Sequence, residues 1–245
     1  MNSDIQTIIT SVGFPIALSF YLLIRFEEKL QKLTDSINEL SKNILSMRWW
    51  LMKFYLDFGH GGKDSGAVGF NGTFESNVVL KIGLILKSML VGNGNTVVTT
   101  RCDDSYYSLS YRTDKANKNG CDYFISLHMN SFSNEDVRGC EVWVYDKSSR
   151  LYGASKGICD SLSKALDTPN RGVKVSKNFS VLRKSRMPAL LVEVDFISNG
   201  MVEDVCGSYD YCYVVARCIC DELLRLWLIF RWYYIRGYSI SFSTF

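Results

Sequence analysis

The whole chain of 245 residues contains two histidines, His60 and His128. The first sits among glycines in FYLDFGHGGKDSGAVGF, and the second closes the apolar run DYFISLH. Glu75 opens the helical stretch ESNVVLKIGLILKSMLV, and Glu193 lies inside the apolar run PALLVEVDF. Two imidazoles and a carboxylate form a ligand set for one catalytic Zn2+, with a fourth position left for water. Such an ion lowers the pKa of that water towards about 7 and polarises a carbonyl, so an amide can be cleaved at neutral pH. The proton then needs a carboxylate outside the ligand set. Glu193 is the candidate, because a carboxylate in an apolar strand is costly to bury unless paired or put to use. Asp195, with the same strand parity, is either its partner or its rival. Asp57 is expected to orient His60 by accepting its second ring N–H. Gly59, Gly61 and Gly62 permit positive φ and close backbone approach around His60. Plainer readings stand beside these: a strand-end histidine as hydrogen-bonded filler, and Glu75 as a carboxylate favouring a helix N-terminus.

The elements that must hold these groups alternate. Strand patterns over 53–58, 96–100, 122–128, 139–145 and 188–196 are interleaved with helical patterns over 75–91, 108–120, 149–166 and 209–230. This alternation predicts an α/β fold, a twisted, mixed and largely parallel sheet with helices on both faces. In such sheets functional groups collect beyond the carboxyl ends of strands, where "LDFGH", "ISLHMNS" and "LVEVDF" end. The glycine-rich stretch lacks both GxxxxGK[ST] and GxGxxG, so it is not a phosphate loop.

Residues 1–48 read as a different object. IITSVGFPIALSFYLLIRF (8–26) is apolar up to Arg25, at the short limit for a membrane span. No basic residue precedes it and no small-residue cleavage site comes after it, which argues against a signal peptide. In 27–45, Leu30, Leu33, Ile37, Leu40 and Ile44 recur at three- and four-residue steps among charges. The expectation is a membrane-anchoring helix over 8–26 running into an amphipathic stalk that offers a self-association surface over 27–45. One long helix buried against a partner chain is the alternative. Arg25, Lys29 and Lys32 favour a cytoplasmic location for the remainder of the chain. The segment resembles small holin-like membrane anchors.

A net charge of +3 and the absence of interleaved basic patches exclude nucleic acid as a partner. The eight cysteines contain no CxxC pair, so they read as free, mostly buried thiols made in a reducing cytoplasm.

Taken in order, "LDFGHGGKDSGAVG", the glutamate of "TFES", "LSYRTDKANKNGCDYFISLHMNS" and "ALLVEVDFISN" resemble the zinc-dependent N-acetylmuramoyl-L-alanine amidases of the amidase-3 type, found in phage endolysins and cell-wall hydrolases. The resemblance covers 53–226 and implies a catalytic domain over 49–226. It further implies peptidoglycan as substrate, zinc on His60, Glu75 and His128, and Glu193 as acid/base. Asn130 and Arg112 match family positions with structural or substrate-binding roles. Two departures stand out: Phe58 replaces a commoner proline or alanine, and Asp195 replaces a glycine. The extra carboxylate is expected to raise the pKa of Glu193 by like-charge repulsion. The aromatic, basic tail 227–245 lies beyond the resemblance, with membrane, wall or the domain itself as its contact. Two rival functions remain: a wall-binding or holin-like protein with a silent amidase fold, and a zinc peptidase acting within the stem peptide.

Overall fold

The computed structural model describes residues 13–48 and 51–235. The chain divides into two units, Met1–Trp50 and Leu51–Phe245.

In the first unit a single helix, α1 (Phe14–Arg48), runs through both the apolar and the charged stretch. Among the described residues its apolar part runs from Phe14 to Ile24, and Arg25, Glu27, Glu28 and Lys29 follow. Among the described residues, no helix is long and apolar enough to cross a membrane. The expected anchor over 8–26 falls partly on 8–12, outside the described residues, and its described part is the start of this continuous helix. Leu30, Leu33, Ile37 and Leu40 are exposed, and local pairs such as Arg25–Glu28 decorate the helix.

The second unit is a six-stranded sheet with helices on both faces. In chain order it comprises β1 (Lys53–Phe58), α2 (Glu75–Gly92), β2 (Thr96–Thr99), α3 (Leu109–Lys118), β3 (Tyr123–Asn130) and β4 (Cys140–Val144). Next come α4 (Tyr152–Leu166), β5 (Asn170–Val175), α5 (Ser180–Lys184), β6 (Ala189–Phe196), α6 (Gly200–Cys206) and α7 (Tyr209–Ile235). The strand order is β2-β1-β3-β6-β4-β5. β2, β1, β3 and β6 are mutually parallel, β4 is antiparallel to β6, and β5 is parallel to β4. The mixed α/β sheet expected from the alternation is thus present. β5, α5 and α6 are additions to the elements the sequence pattern predicts, and the helix α7 takes in residues 227–235 of the expected tail.

The two faces of the sheet differ in composition. Phe54, Leu56, Ile125, Leu127, Val142, Val144, Leu190, Val192 and Val194 form a continuous apolar face with buried residues of α2, α4 and α7. At roughly 25 cal/mol per Å² of apolar surface removed from water, this layer is the main source of the domain's stability. The opposite face is apolar only in its lower half, where Tyr55, Phe124 and Leu191 meet Ala116 of α3 and Val181 and Leu182 of α5. Further along the same strands, alternation places Asp57, Ser126, His128, Glu193 and Glu141 on that face. One end of one face is therefore polar, and the candidate site lies there.

Candidate active site

His60 comes just after β1 in the left-handed region, with φ of +58°, a conformation costing a non-glycine residue on the order of 1 kcal/mol or more. Two arginines hold it. Arg101 donates from Nε to Phe58 O and from Nη2 to Gly59 O, at 3.0 and 2.9 Å. Arg112 donates from Nη1 to Phe58 O and from Nη2 to His60 O, each at 2.9 Å. Three successive carbonyls are thereby clamped. Arg101 carries no sequence signal beyond being a lone arginine after β2.

The glycines make room for the ligands. A Cβ on Gly59 would lie 2.5 Å from His128 Cε1, and one on Gly66 would lie 2.5 Å from Glu75 Oε2 and 2.6 Å from His60 Cδ2. Phe58, the larger residue at its position, is accommodated by Gly83 on α2, where a Cβ would overlap its ring.

Glu75, buried at the start of α2, has each oxygen fixed by one backbone amide and turned to one imidazole. Oε1 accepts from Met129 N at 3.0 Å and lies 2.9 Å from His128 Nδ1. Oε2 accepts from Ala67 N at 2.9 Å and lies 3.2 Å from His60 Nε2. Ligand atoms of His60, Glu75 and His128 all lie within 4.8 Å of one another, a group able to hold a metal ion. Burial opposes ionisation of Glu75, but hydrogen bonds from His128 and His60 outweigh it and hold the carboxyl far below the usual range. Burial likewise disfavours the His128 imidazolium, yet Glu75 overrides it and raises the ring to about 9.

Asp57 does not orient His60. Its carboxylate accepts from Arg112 Nη1 at 2.7 Å, Thr100 Oγ1 at 2.6 Å and Ser126 Oγ at 2.8 Å. His60 Nδ1 instead lies 2.9 Å from Asp64 Oδ1, returned by the tight Gly61–Asp64 turn. Arg112, considered as a substrate contact, is buried on Asp57 and the His60 loop. Asn130 donates to Glu141 Oε1 at 3.2 Å and accepts from Ser131 N.

Glu193 pairs in register with His128 on one side and Glu141 on the other. Its Oε2 is buried and has no hydrogen-bond partner among the described residues. Burial is the first cause that raises its pKa, to about 7; Glu75 and Glu141 add to it, against His128 and His60. Asp195 plays no part. Between the His128/Glu193 and Asn130/Phe196 pairs, β6 carries one extra residue, which reverses the alternation. Asp195 therefore turns away, accepting from Gly139 N at 2.7 Å, Thr168 Oγ1 at 2.7 Å and Arg138 Nη2 at 3.2 Å.

An α/β sheet that brings a His–Glu–His set and an unpartnered carboxylate to one strand end places the chain among α/β enzymes built around a candidate metal centre. Residues 55–225 match the family described as N-acetylmuramoyl-L-alanine amidase, and the chain belongs to that family of peptidoglycan hydrolases. Residues 8–43 match the YvrJ protein family. The uncharacterised protein YqiI of Bacillus subtilis (strain 168) is 38% identical over 174 residues, 69% of this chain and 82% of that one. The sporulation-specific N-acetylmuramoyl-L-alanine amidase of the same organism is 39% identical over 152 residues, 61% of this chain and 58% of its own length. The solved structure of the amidase AmiC2 of Nostoc punctiforme superposes with a TM-score of 0.67 at 34% identity, covering 71% of this chain and 96% of that one.

Proposed function

We propose that the protein cleaves the amide between N-acetylmuramic acid and L-alanine in peptidoglycan, with zinc held by His60, Glu75 and His128. The observation that carries this reading is the buried, unpartnered Oε2 of Glu193 beside a His–Glu–His set. The donor set suits zinc: two imidazole nitrogens and one carboxylate, with Asp64 on the far nitrogen of His60 so that Nε2 faces the other ligands. When bound, the ion supplies Lewis-acid activation of water and of the amide carbonyl.

The chain's own groups do the rest. Glu75 keeps its two oxygens fixed through the amides of Met129 and Ala67, so the ligand set is preorganised before substrate arrives. Glu193 takes the proton of the attacking water and returns it to the leaving nitrogen of L-alanine. Its upward-shifted pKa suits both transfers near neutral pH. The left-handed loop at His60 and the small Gly59 and Gly66 leave the volume that the His128 and His60 rings and the Glu75 carboxylate fill, so the ligands can converge.

The test is digestion of purified cell wall, then mass analysis of the soluble products. Free stem peptides beginning with L-alanine, lost on chelation and in Glu193→Gln, are expected. Cleavage inside the stem peptide, or undiminished release by Glu193→Gln, would overturn the assignment.

A further inference from the structure

On the face that carries Glu193, the row of paired residues continues past it. His128 on β3 pairs with Glu193 on β6, and Glu193 pairs with Glu141 on β4. The row ends on the edge strand β5 in two cations. Arg171 Nε donates to Glu141 Oε2 at 2.9 Å, and Lys174 Nζ donates to the same oxygen at 2.6 Å. The other oxygen, Oε1, accepts from Asn130 Nδ2 at 3.2 Å and Trp143 Nε1 at 3.0 Å. Two cations thus share one buried carboxylate, leaving one positive charge in surplus. Their side chains are 37% and 34% exposed, whereas that of Glu141 is 4% exposed. Both heads are also fixed against rings, Arg171 over Phe196 at 5.1 Å and Lys174 over Trp143 at 5.3 Å. Arg171 binds through Nε, which leaves its two Nη groups as donors.

We propose that Arg171 and Lys174, positioned by Glu141, form an anion subsite that binds the free carboxylate on the second residue of the peptide leaving at L-alanine. The inference rests on the amidase reading for its substrate. Neighbouring strands lie about 4.8 Å apart, so β5 stands about 10 Å from the Glu193 strand. An extended peptide rises about 3.3 Å per residue, so a carboxylate one residue beyond the scissile amide falls within reach of long side chains across that gap. A planar guanidinium beside an ammonium suits a carboxylate, and the ring contacts limit the freedom lost on binding. The subsite would select wall peptides whose second residue keeps its acid over those in which it is amidated.

The test compares two tripeptides, L-Ala-γ-D-Glu-L-Lys amide, with its α-carboxylate free, and L-Ala-γ-D-isoglutaminyl-L-Lys amide, binding to the full chain by calorimetry, with zinc and after chelation. The acid form is expected to bind at least tenfold more tightly. In Lys174→Gln and in Arg171→Gln, each of which keeps one cation on Glu141, the ratio is expected to fall to threefold or less. Equal affinities for the two peptides in the wild type, no binding of either at millimolar concentration, or a ratio unchanged in both variants would overturn the subsite. Because binding requires no turnover, these results are separate from the wall digest, whose failure would remove the amidase reading instead.

Discussion

Replacing Arg112 by methionine tests whether one buried ion pair holds the ligand loop. Arg112 and Asp57 meet at 2.7 Å with side chains 4% and 1% exposed, so removal of the guanidinium leaves a buried carboxylate without its ion-pair partner. Breaking a buried pair from one side costs about 3–5 kcal/mol. For a domain of this size each 1 kcal/mol moves Tm by about 2–4 °C, so Arg112→Met is expected to lower Tm by roughly 6–20 °C. Asp57→Asn introduced together with Arg112→Met removes the stranded charge while Thr100 and Ser126 still have a partner. Most of the lost stability is expected to return. Zinc affinity is not, because the clamp on Phe58 O and His60 O remains missing. Urea denaturation of the metal-free proteins and zinc titration of the same samples supply both numbers. A single variant costing less than 1 kcal/mol, or a double variant that regains zinc binding along with stability, would refute the reasoning.

Other perturbations separate the parts of the site. Asp64→Asn removes the charged partner of His60 Nδ1 and is expected to weaken zinc binding by about 10–100-fold, measured with a competing chelator, while leaving Tm of the metal-free protein nearly unchanged. Gly59→Ala places a methyl group 2.5 Å from the His128 ring; loss of zinc binding in a folded protein, judged by calorimetry and circular dichroism, is the expected outcome. Stability should also depend on pH at both ends. Asp57, Glu141 and Glu203 have lowered pKa values: burial opposes each, but Arg112, Lys174 and the Asn71 and Thr73 amides, respectively, more than compensate. Their stabilisation is complete above the unfolded carboxylate range of about 4 and is lost as pH falls through the lowered values. In the metal-free protein His128 is raised to about 9, so its contribution is complete below about 6.5 and is lost as pH rises through about 9. Thermal melts of chelated protein from acid to alkaline pH are expected to show both limbs, with Glu75→Gln reducing the loss near pH 9 that His128 contributes.

The parts of this site that are legible in the sequence are those governed by alternation within one strand or by the end of an apolar run. His128 and Glu193 fall on one face because each lies at the proper parity in a buried parallel strand, and both strands announce themselves by composition. Parity fails at Asp195, since one extra residue in β6 turns its side chain to the other face; a bulge leaves no mark in VEVDF. Pairing across long separations is equally silent. Asp57 reads as a neighbour for His60, yet its cation comes from position 112, and the carboxylate that does face His60 returns through a turn at Gly61 and Gly62, with φ of +124° and +58°. That signal is present as two glycines before an aspartate, but glycines alone do not say which side chain a turn brings back. β5 is hard to read because NRGVKV is a charged, half-exposed edge strand whose apolar face is reduced to Val173 and Val175, a composition by which edges avoid pairing with other chains. The same property makes it informative. Cations on an edge are ordinarily solvated, whereas Arg171 and Lys174 converge on a carboxylate only 4% exposed. Burial of Glu141 has to be compensated by those partners, so edge protection alone does not account for where they point.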